Sequence, residues 1–317
     1  MQEYSIQNDF IKLIALDYGA TIHQLITKDK NGNNVNIVLG FKEKQEYRHN
    51  QEYLGASVGR FAGRVHESGF TLNNQHYTLL SNNGAHLHGG KEGFSFKTWK
   101  LETIHQGNDP FIKFSYTSSD MEEGYPGNLQ VFCTYQLKKN KLIITYEAKS
   151  DKDTIVNLTN HNYYNLDGSG SILNHELMIA SDKILTKDEN AVADGDFMSV
   201  EGTHYDFRKK NKIGNQIKTK GIDDCYVLTN NDPLAVLYAK NTGIEMTVSS
   251  NQSGVVVYTP ENFDENRFLN KPLHKYPAIC FETQGFPNAP NQPHFPSVIL
   301  KKGELYKNES IFALTVK

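Results

Sequence analysis

The chain has 317 residues, in which 33 Lys and Arg nearly balance 36 Asp and Glu, so that the formal net charge is -3. This balance is atypical of proteins that bind nucleic acids or anionic membrane surfaces, and neither partner is expected. Three cysteines, Cys133, Cys225 and Cys280, are widely separated and form neither a metal-binding spacing nor a disulfide framework. A reducing cytoplasm is the expected compartment, since the sequence also lacks a signal-peptide pattern and any apolar run long enough to span a membrane.

Short apolar runs separated by turn residues follow one another along the chain and predict β-strands. Hairpin turns are predicted at residues 31–32, where Asn-Gly favours a tight turn, and at residues 73–75 and 138–140. Strands are predicted over residues 10–16, 21–27, 35–41, 69–72, 76–80, 96–104, 111–117, 129–137, 141–149, 154–159, 176–179, 225–228, 234–239, 244–249, 255–259, 278–284, 298–300 and 309–316.

No window has a sustained helical period, and a short turn over residues 264–268 is the best helical candidate. Many closely spaced strands predict an all-β fold, an antiparallel sandwich or barrel. Because no linker composition interrupts them, residues 1–317 are predicted to form a single domain. Segments without a strand pattern, such as residues 43–64, 188–223 and 286–297, are expected to be functional or mobile loops.

A strand followed by a stiff loop is predicted between residues 276 and 297. Alternation over residues 278–284 places Cys280, Glu282 and Gln284 on one face. A carboxylate near the end of an apolar strand is a candidate general base, and an outward-facing Glu on an edge strand is the ordinary alternative. The loop is expected to be rigid because five of the ten prolines lie here: Pro277, Pro287, Pro290, Pro293 and Pro296.

Two glycine-rich segments carry further polar candidates. Arg60 and Arg64 are four residues apart, and their side chains either donate to an oxygen-rich ligand or are simply solvated. His86 and His88 would share a face of an extended chain, which permits a metal pair. No third ligand is evident nearby, so no metal is expected, and a packed, hydrogen-bonded histidine is the alternative.

The segment 157–166 is unusually rich in polar residues for a strand. Asn157, Thr159 and His161 share a face at strand period, so a strand is expected to hold His161 firmly as an acid or base. A hydrogen-bonded sheet edge is the alternative. Asp223 precedes an apolar strand, where a turn-forming Asp is common.

The sequence contains no nucleophile elbow, phosphate-binding loop or dinucleotide fingerprint. The remaining candidates are histidines, a Glu, an Asp and arginines. Without such motifs, these residue types indicate proton transfer on a neutral polar substrate.

Five segments occur in the order GRFAGRV, HLHGG, NLTNHNYYNL, GIDDCY and CFETQGFPNAPN, between residues 59 and 291. In this combination and order they resemble the aldose 1-epimerases, also called galactose mutarotases. The resemblance extends over the whole chain and implies a large antiparallel β-sandwich, the supersandwich. It further implies interconversion of the α and β anomers of free hexoses such as galactose and glucose, without a cofactor.

The resemblance also implies roles for individual residues. Glu282 corresponds to the general base and His161 to the general acid, while His88, Arg64 and Asp223 correspond to residues that contact the sugar. Two positions depart from the family, because Gly63 replaces a frequent Asn and Asp224 replaces a frequent His. Both are expected to affect sugar preference more than reaction type.

Anomer exchange requires only that the C1 hydroxyl loses a proton and the ring oxygen gains one, so that one base and one acid suffice. A relative acting on hexose phosphates is one alternative, although the long loops contain few obvious cationic clusters beyond Arg208-Lys209-Lys210. A non-catalytic sugar-binding module is another, but it would not need both His161 and Glu282. A small sugar is the expected partner of a monomer or homodimer.

Overall fold

The computed structural model describes residues 1–66, 69–81, 84–217, 220–229 and 232–317. Its strands are, in chain order, β1 (Glu3–Gln7), β2 (Ile11–Leu16), β3 (Thr21–Lys28), β4 (Asn34–Asn36), β5 (Ser57–Val58), β6 (Arg64–His66), β7 (Phe70–Leu72), β8 (Gln75–Tyr77), β9 (Ala85–Leu87), β10 (Lys100–His105), β11 (Phe111–Ser118), β12 (Leu129–Lys138), β13 (Lys141–Ser150), β14 (Thr154–Ile155), β15 (Thr159–Asn160), β16 (Tyr163–Tyr164), β17 (Glu176–Ile179), β18 (Lys183–Lys187), β19 (Ala193–Ser199), β20 (Asn211–Lys212), β21 (Asp223–Val227), β22 (Ala235–Tyr238), β23 (Ile244–Ser250), β24 (Gly254–Tyr258), β25 (Ile279–Gln284), β26 (Ile299–Leu300) and β27 (Tyr306–Val316).

Helical structure in the described residues is confined to short segments. None of them is long and apolar enough to cross a membrane. The predicted turn over residues 264–268 forms a single 3-10 turn. The segments are the 3-10 turns Lys44–His49, Phe94–Phe96, Glu122–Gly124, Ile172–Asn174, Glu265–Arg267 and Ala289–Asn291, and the helix α1 (Ile213–Gln216).

Two large antiparallel sheets dominate the fold, which confirms the predicted all-β sandwich. The first has nine strands in the order β10-β11-β12-β13-β27-β23-β22-β17-β20, and the second has six in the order β16-β25-β24-β21-β18-β19. One apolar core joins them: the ring of Tyr164 lies 5.3 Å from that of Phe312 in β27, and Phe281 packs against the same Tyr164. Burial of these apolar inner faces is the main stabilising contribution.

The predicted hairpins are confirmed, and each has residues suited to its turn. Strands β7 and β8 pair through Leu72 and Gln75, while Asn73 and Asn74 between them have φ of 50° and 61°. Asn tolerates this left-handed conformation better than most residues, so a two-residue turn fits here. The β12–β13 pairing likewise closes at Lys138, with Lys139 at φ 52°.

Several predicted boundaries are wrong, and two of them show how tertiary contacts override the local pattern. The strand predicted over residues 154–159 is broken into β14 and β15, since Asn157 bonds across to the carbonyl groups of Ala62 and Gly285. The segment 188–223, expected to be a loop, contains β19, β20 and α1, although residues 218 and 219 lie outside the described part. Strand β19 is exposed at most positions, so it lacks the apolar alternation that marks a strand.

Candidate active site

A cavity of about 280 Å³ lies over the six-stranded sheet. Its size is at the lower end of the range for small-molecule sites. All five residues to which the family resemblance gave a role line it, although they are far apart in the chain. The lining is Gln51, Glu52, Tyr53, Gly63, Arg64, Leu87, His88, His161, Tyr163, Leu185, Lys187, Ala191, Ala193, Asp223, Cys225, Val256, Tyr258, Glu282 and Pro287.

Glu282 lines this cavity from β25. Phe281 on one side of the strand joins the core between the sheets, so the alternation predicted from sequence directs Glu282 to the opposite face. The strand is interior to its sheet, between β16 and β24, and Glu282 is only 2 % exposed. It is therefore not the outward-facing edge residue of the alternative interpretation.

His161 faces Glu282, with its Nε2 atom 3.4 Å from Oε1 of the carboxyl group. It lies between β15 and β16 rather than within a regular strand, so the expectation that a strand holds it is wrong. Neighbouring rings hold it instead: Tyr163 stacks at 5.1 Å between centroids and Tyr53 at 6.0 Å, and His88 lies edge-on at 5.4 Å. The imidazole is 4 % exposed and is fixed by packing.

Burial favours the uncharged forms of both members of this pair. It raises the pKa of Glu282 well above its usual value; the Asp223 carboxylate raises it further, and the Arg64 guanidinium opposes the shift. Burial also lowers the pKa of His161 to about 4, against a hydrogen bond to its own backbone. The mutual attraction of a carboxylate and an imidazolium would shift both pKa values the other way, and desolvation outweighs it here.

The carboxyl group of Glu282 has one oxygen without a partner. Oε2 is buried and makes no hydrogen bond in the structure, whereas Oε1 faces His161. An unpaired polar atom in a buried position is costly, which favours a ligand that supplies the missing donor. A hydroxyl group entering the cavity would satisfy it.

His88 follows β9 and has φ of 50°, which turns its side chain away from the alternation of the strand. Its Nδ1 atom accepts a hydrogen bond of 3.2 Å from the backbone N–H of Gly63. The neutral imidazole therefore carries its proton on Nε2 and can donate it to a ligand. Burial lowers the pKa of His88 well below its usual value, and the His161 and Arg64 charges add to this shift.

The conformation of Gly63 accounts for this departure from the family pattern. Its φ is 80°, and a Cβ atom would lie 3.0 Å from Cγ of Pro287 and 3.2 Å from Nε2 of Gln284. Any side chain there would strain the backbone and crowd the proline rim. Gly63 thus lets the two sides of the cavity approach while its N–H orients His88.

Arg64 and Asp223 form an ion pair at the open side of the cavity. Arg64 Nη1 lies 3.6 Å from Asp223 Oδ2, and their side chains are 30 % and 44 % exposed. Partial exposure leaves donors of the guanidinium and an oxygen of the carboxylate available to hydroxyl groups.

The other candidates, Arg60 and His86, are structural. The two terminal nitrogens of Arg60 donate to backbone carbonyls of Pro126, Gly127 and Ser119. His86 donates from Nδ1 to the Leu80 carbonyl at 2.7 Å and accepts from the Tyr125 hydroxyl at Nε2, also at 2.7 Å. The pairing of His86 with His88 that an extended chain would allow is therefore wrong, because both ring nitrogens of His86 are engaged elsewhere.

A metal fits this site poorly. Donor atoms of His88, His161 and Glu282 lie within 4.8 Å of one another, and these residue types bind divalent metals. A metal-bound imidazole offers the lone pair of one nitrogen and usually donates the proton of the other. In His88 the lone pair on Nδ1 is occupied by the Gly63 N–H, and Nε2 carries the proton. His88 therefore suits a hydrogen-bond-accepting ligand better than a cation.

Sequence reasoning missed several cavity residues, among them Tyr53, Tyr258 and Lys187. Tyr53 has φ of 55° within a loop, and no local pattern indicates that its ring stacks on His161. Tyr258 ends β24 beside the same imidazole, where it was counted only as a strand residue. Lys187 ends β18, which no apolar alternation predicted. The length of the loop before Arg64 was the one signal that pointed toward Tyr53.

The fold and cavity together define a β-sandwich protein with a buried imidazole–carboxyl pair at a small polar site. The chain belongs to the aldose 1-epimerase family, whose profile matches residues 2–313. It is 38 % identical to the galactose mutarotase of Sus scrofa, over 100 % of this chain and 94 % of that protein. It is 32 % identical to the aldose 1-epimerase of Escherichia coli K12, over 92 % of this chain and 89 % of that protein.

Solved structures agree with this assignment. The GalM/aldose epimerase homologue from C. elegans superposes with a TM-score of 0.92 at 29 % identity, covering 99 % of both chains. Galactose 1-epimerase from Lactobacillus acidophilus gives a TM-score of 0.89 at 29 % identity, covering 99 % of this chain and 94 % of that one. The predicted family and fold are confirmed, and the protein is an aldose 1-epimerase.

Proposed function

We propose that the protein interconverts the α and β anomers of free hexoses such as galactose and glucose, with Glu282 and His161 as the proton-transferring groups. The observation that carries this proposal is the buried pair itself. A carboxyl oxygen without a hydrogen-bond partner and an imidazole nitrogen 3.4 Å from the other oxygen face one small cavity.

The resting pair holds one acidic proton, because burial disfavours charge on either group. A sugar whose C1 hydroxyl donates to Oε2 of Glu282 stabilises the carboxylate form. The proton of Glu282 then passes to Nε2 of His161, which produces a base and an acid in one step. Neither proton has to come from solvent.

Ring opening follows from this arrangement. Glu282 takes the C1 hydroxyl proton, His161 donates its proton to the ring oxygen O5, and the C1–O5 bond breaks to give the open-chain aldehyde. Rotation about C1–C2 exposes the other face of the carbonyl carbon. The same transfers in reverse then close the ring as the other anomer.

Three further residues support binding in this proposal. His88 donates from Nε2 to a sugar oxygen, because Gly63 fixes its tautomer. Arg64 and Asp223 bind hydroxyl groups through a donor and an acceptor at the open side. Their ion pair keeps this part of the cavity close to neutral.

The charges of the cavity favour a neutral sugar over a hexose phosphate. Among the described residues that line it, the two cations are each paired: Arg64 with Asp223 and Lys187 with Asp224, the latter at 2.9 Å. Arg208, from the cationic cluster noted in the sequence, pairs with Asp206 and is not part of the lining. A phosphate would have to displace a carboxylate to find an unpaired cation.

Polarimetry tests this function. The optical rotation of freshly dissolved α-galactose and α-glucose should reach its equilibrium value much faster with enzyme than without it. The mutarotation rate of galactose 6-phosphate should increase little. Binding of the sugar without acceleration would instead favour the non-catalytic module.

We also propose that the enzyme works in the cytoplasm and that residues 1–317 act as one domain. All three cysteines are free and buried, which suits a reducing compartment. The shared core of the two large sheets supports a single folding unit. A monomer or homodimer, without nucleic-acid or membrane partners, stays a prediction that light scattering can check for the oligomeric state.

A further inference from the structure

The departure at position 224 lies next to a proposed sugar ligand, and the structure gives it a partner. Asp224 is 4 % exposed, and its Oδ1 lies 2.9 Å from Nζ of Lys187 on β18. Its Oδ2 accepts from the backbone N–H of Asp223 at 3.1 Å. A buried carboxylate that binds an ammonium group and a backbone N–H is held firmly in one position.

Lys187 also holds Asp223 directly, because its ammonium group donates to the Asp223 backbone carbonyl. Lys187 therefore binds the backbone C=O of Asp223, and Asp224 binds its backbone N–H. The side chain of Asp223 makes no such internal bond to Lys187 or Asp224; it faces Arg64 at the cavity.

The Lys187–Asp224 ion pair joins β18 to β21, on the side of β21 where strand pairing is sparse. Strands β18 and β21 pair only through Ile184 and Tyr226, and the register of β18 with β19 shifts between Leu185 and Lys187. On this side the ladder does not reach the end of β21 at which Asp223 lies, whereas on the other side β24 pairs along β21, with Asp223 opposite Tyr258. A side-chain cross-link from β18 adds a constraint on the side that the ladder leaves free.

We propose that Lys187 and Asp224 are positioning residues that orient Asp223 toward a sugar hydroxyl, and so set the affinity for substrate. This inference rests on the proposed role of Asp223. A contact that is made equally in the ground and transition states affects KM more than kcat. The expected signature is therefore a KM defect that acts through Asp223.

The test is steady-state polarimetry on Lys187→Met, Asp224→Asn, Asp223→Asn and the double variant Lys187→Met with Asp223→Asn. Lys183→Met, an exposed lysine on the same strand, is the matched control. Lys187→Met and Asp224→Asn should each raise KM about five- to tenfold, roughly the effect of one hydrogen bond, with kcat nearly unchanged. In the Asp223→Asn background, Lys187→Met should add nothing further.

Three results would overturn the inference. A Lys187→Met defect that Asp224→Asn does not share, or one that persists in the double variant, would mean that Lys187 contacts the sugar itself. A normal KM for Asp223→Asn would show that Asp223 does not contribute to substrate binding, so that its position could not affect the affinity. Failure of the proposed function is a separate outcome, since the wild-type enzyme would then not accelerate mutarotation at all.

Discussion

Two buried polar clusters lie close together in this protein and differ in how completely they are hydrogen-bonded. Around His86, both ring nitrogens are bonded, to the Leu80 carbonyl and the Tyr125 hydroxyl. Around Glu282, one carboxyl oxygen has no partner and the other faces His161 at 3.4 Å. Both clusters are almost fully buried, so burial alone does not distinguish them.

The difference teaches how to recognise a site among buried polar residues. The His86 cluster exchanges its hydrogen bonds with the protein and so stabilises the fold. The Glu282 cluster keeps hydrogen-bonding capacity that only a ligand in the cavity can use, at a cost in stability. His86 and His88 are only two positions apart, yet His86 belongs to the structural cluster and His88 faces the cavity. The left-handed backbone conformation of His88 causes this difference.

The largest effect should come from Glu282→Gln. The amide cannot take the C1 hydroxyl proton, so mutarotase activity should fall on the order of a hundred- to ten-thousand-fold. Polarimetry measures the rate, with Glu304→Gln, an exposed glutamate, as the control. A Glu282→Gln enzyme with near wild-type rate and normal sugar binding would reject Glu282 as the base.

His161→Asn and His88→Asn should separate the acid from the binding donor. His161→Asn should lower kcat strongly with a modest change in KM, because it removes the proton donor to O5. His88→Asn should weaken binding and rate together, about tenfold, by removing one hydrogen bond made throughout the reaction. Circular dichroism should first establish that both variants fold. A larger pure kcat defect in His88→Asn would reverse the two assignments.

His86→Gln should have the opposite pattern from the cavity variants. It leaves the Tyr125 hydroxyl or the Leu80 carbonyl without its partner, which should lower the free energy of unfolding by about 1–3 kcal/mol. Its kcat/KM should stay close to wild type. Urea unfolding followed by fluorescence, together with polarimetry, measures both. Lost activity at unchanged stability would place His86 in the catalytic machinery.

The pH profile should lack the inflection of an ordinary histidine. Because the pKa of His161 is lowered to about 4, the pair keeps its single proton from pH 7 down to that value. Below it, His161 gains a second proton while Glu282 stays protonated, so no base remains and kcat/KM falls. The stability that neutral His161 contributes is complete above its unfolded pKa, near 6.5, and is lost as pH falls toward 4. A drop in kcat/KM centred near pH 6.5 in the wild-type enzyme would contradict this assignment.

Chelation should have the smallest effect of all. The tautomer of His88 disfavours metal binding, and the proposed proton transfers need no Lewis acid. Dialysis against EDTA should leave the mutarotation rate unchanged. Loss of activity that zinc restores would show that a metal takes part.

Short-range patterns predicted much of the fold. Hairpins with Asn-rich turns and long strands such as β12 and β13 follow from local residue choice. Alternation alone directed Glu282 to the face opposite the core. By contrast, β19 is missing from the prediction because most of its residues are exposed, and a strand with no buried face has no apolar period.

The candidate site was predictable only in part. Motif resemblance brought together five residues that the structure finds around one cavity. The separation of His86 from His88 depends on one backbone angle, and the link from Asp224 to Lys187 joins residues far apart in the chain. Neither leaves a local pattern, so neither could be predicted from residue spacing. The physical reason is that tertiary contacts, not propensity, decide which polar side chain faces the cavity.

Isotope labelling tests most directly whether the pair opens the sugar ring. A hexose carrying ¹⁸O in its C1 hydroxyl can be followed by the isotope shift of its ¹³C1 signal while the anomers exchange. Cleavage of C1–O5 by Glu282 and His161 predicts that the enzyme accelerates exchange many-fold while the label stays on C1. Loss of ¹⁸O to water at the rate of anomer exchange would instead mean that the C1–O1 bond breaks, and would contradict the account.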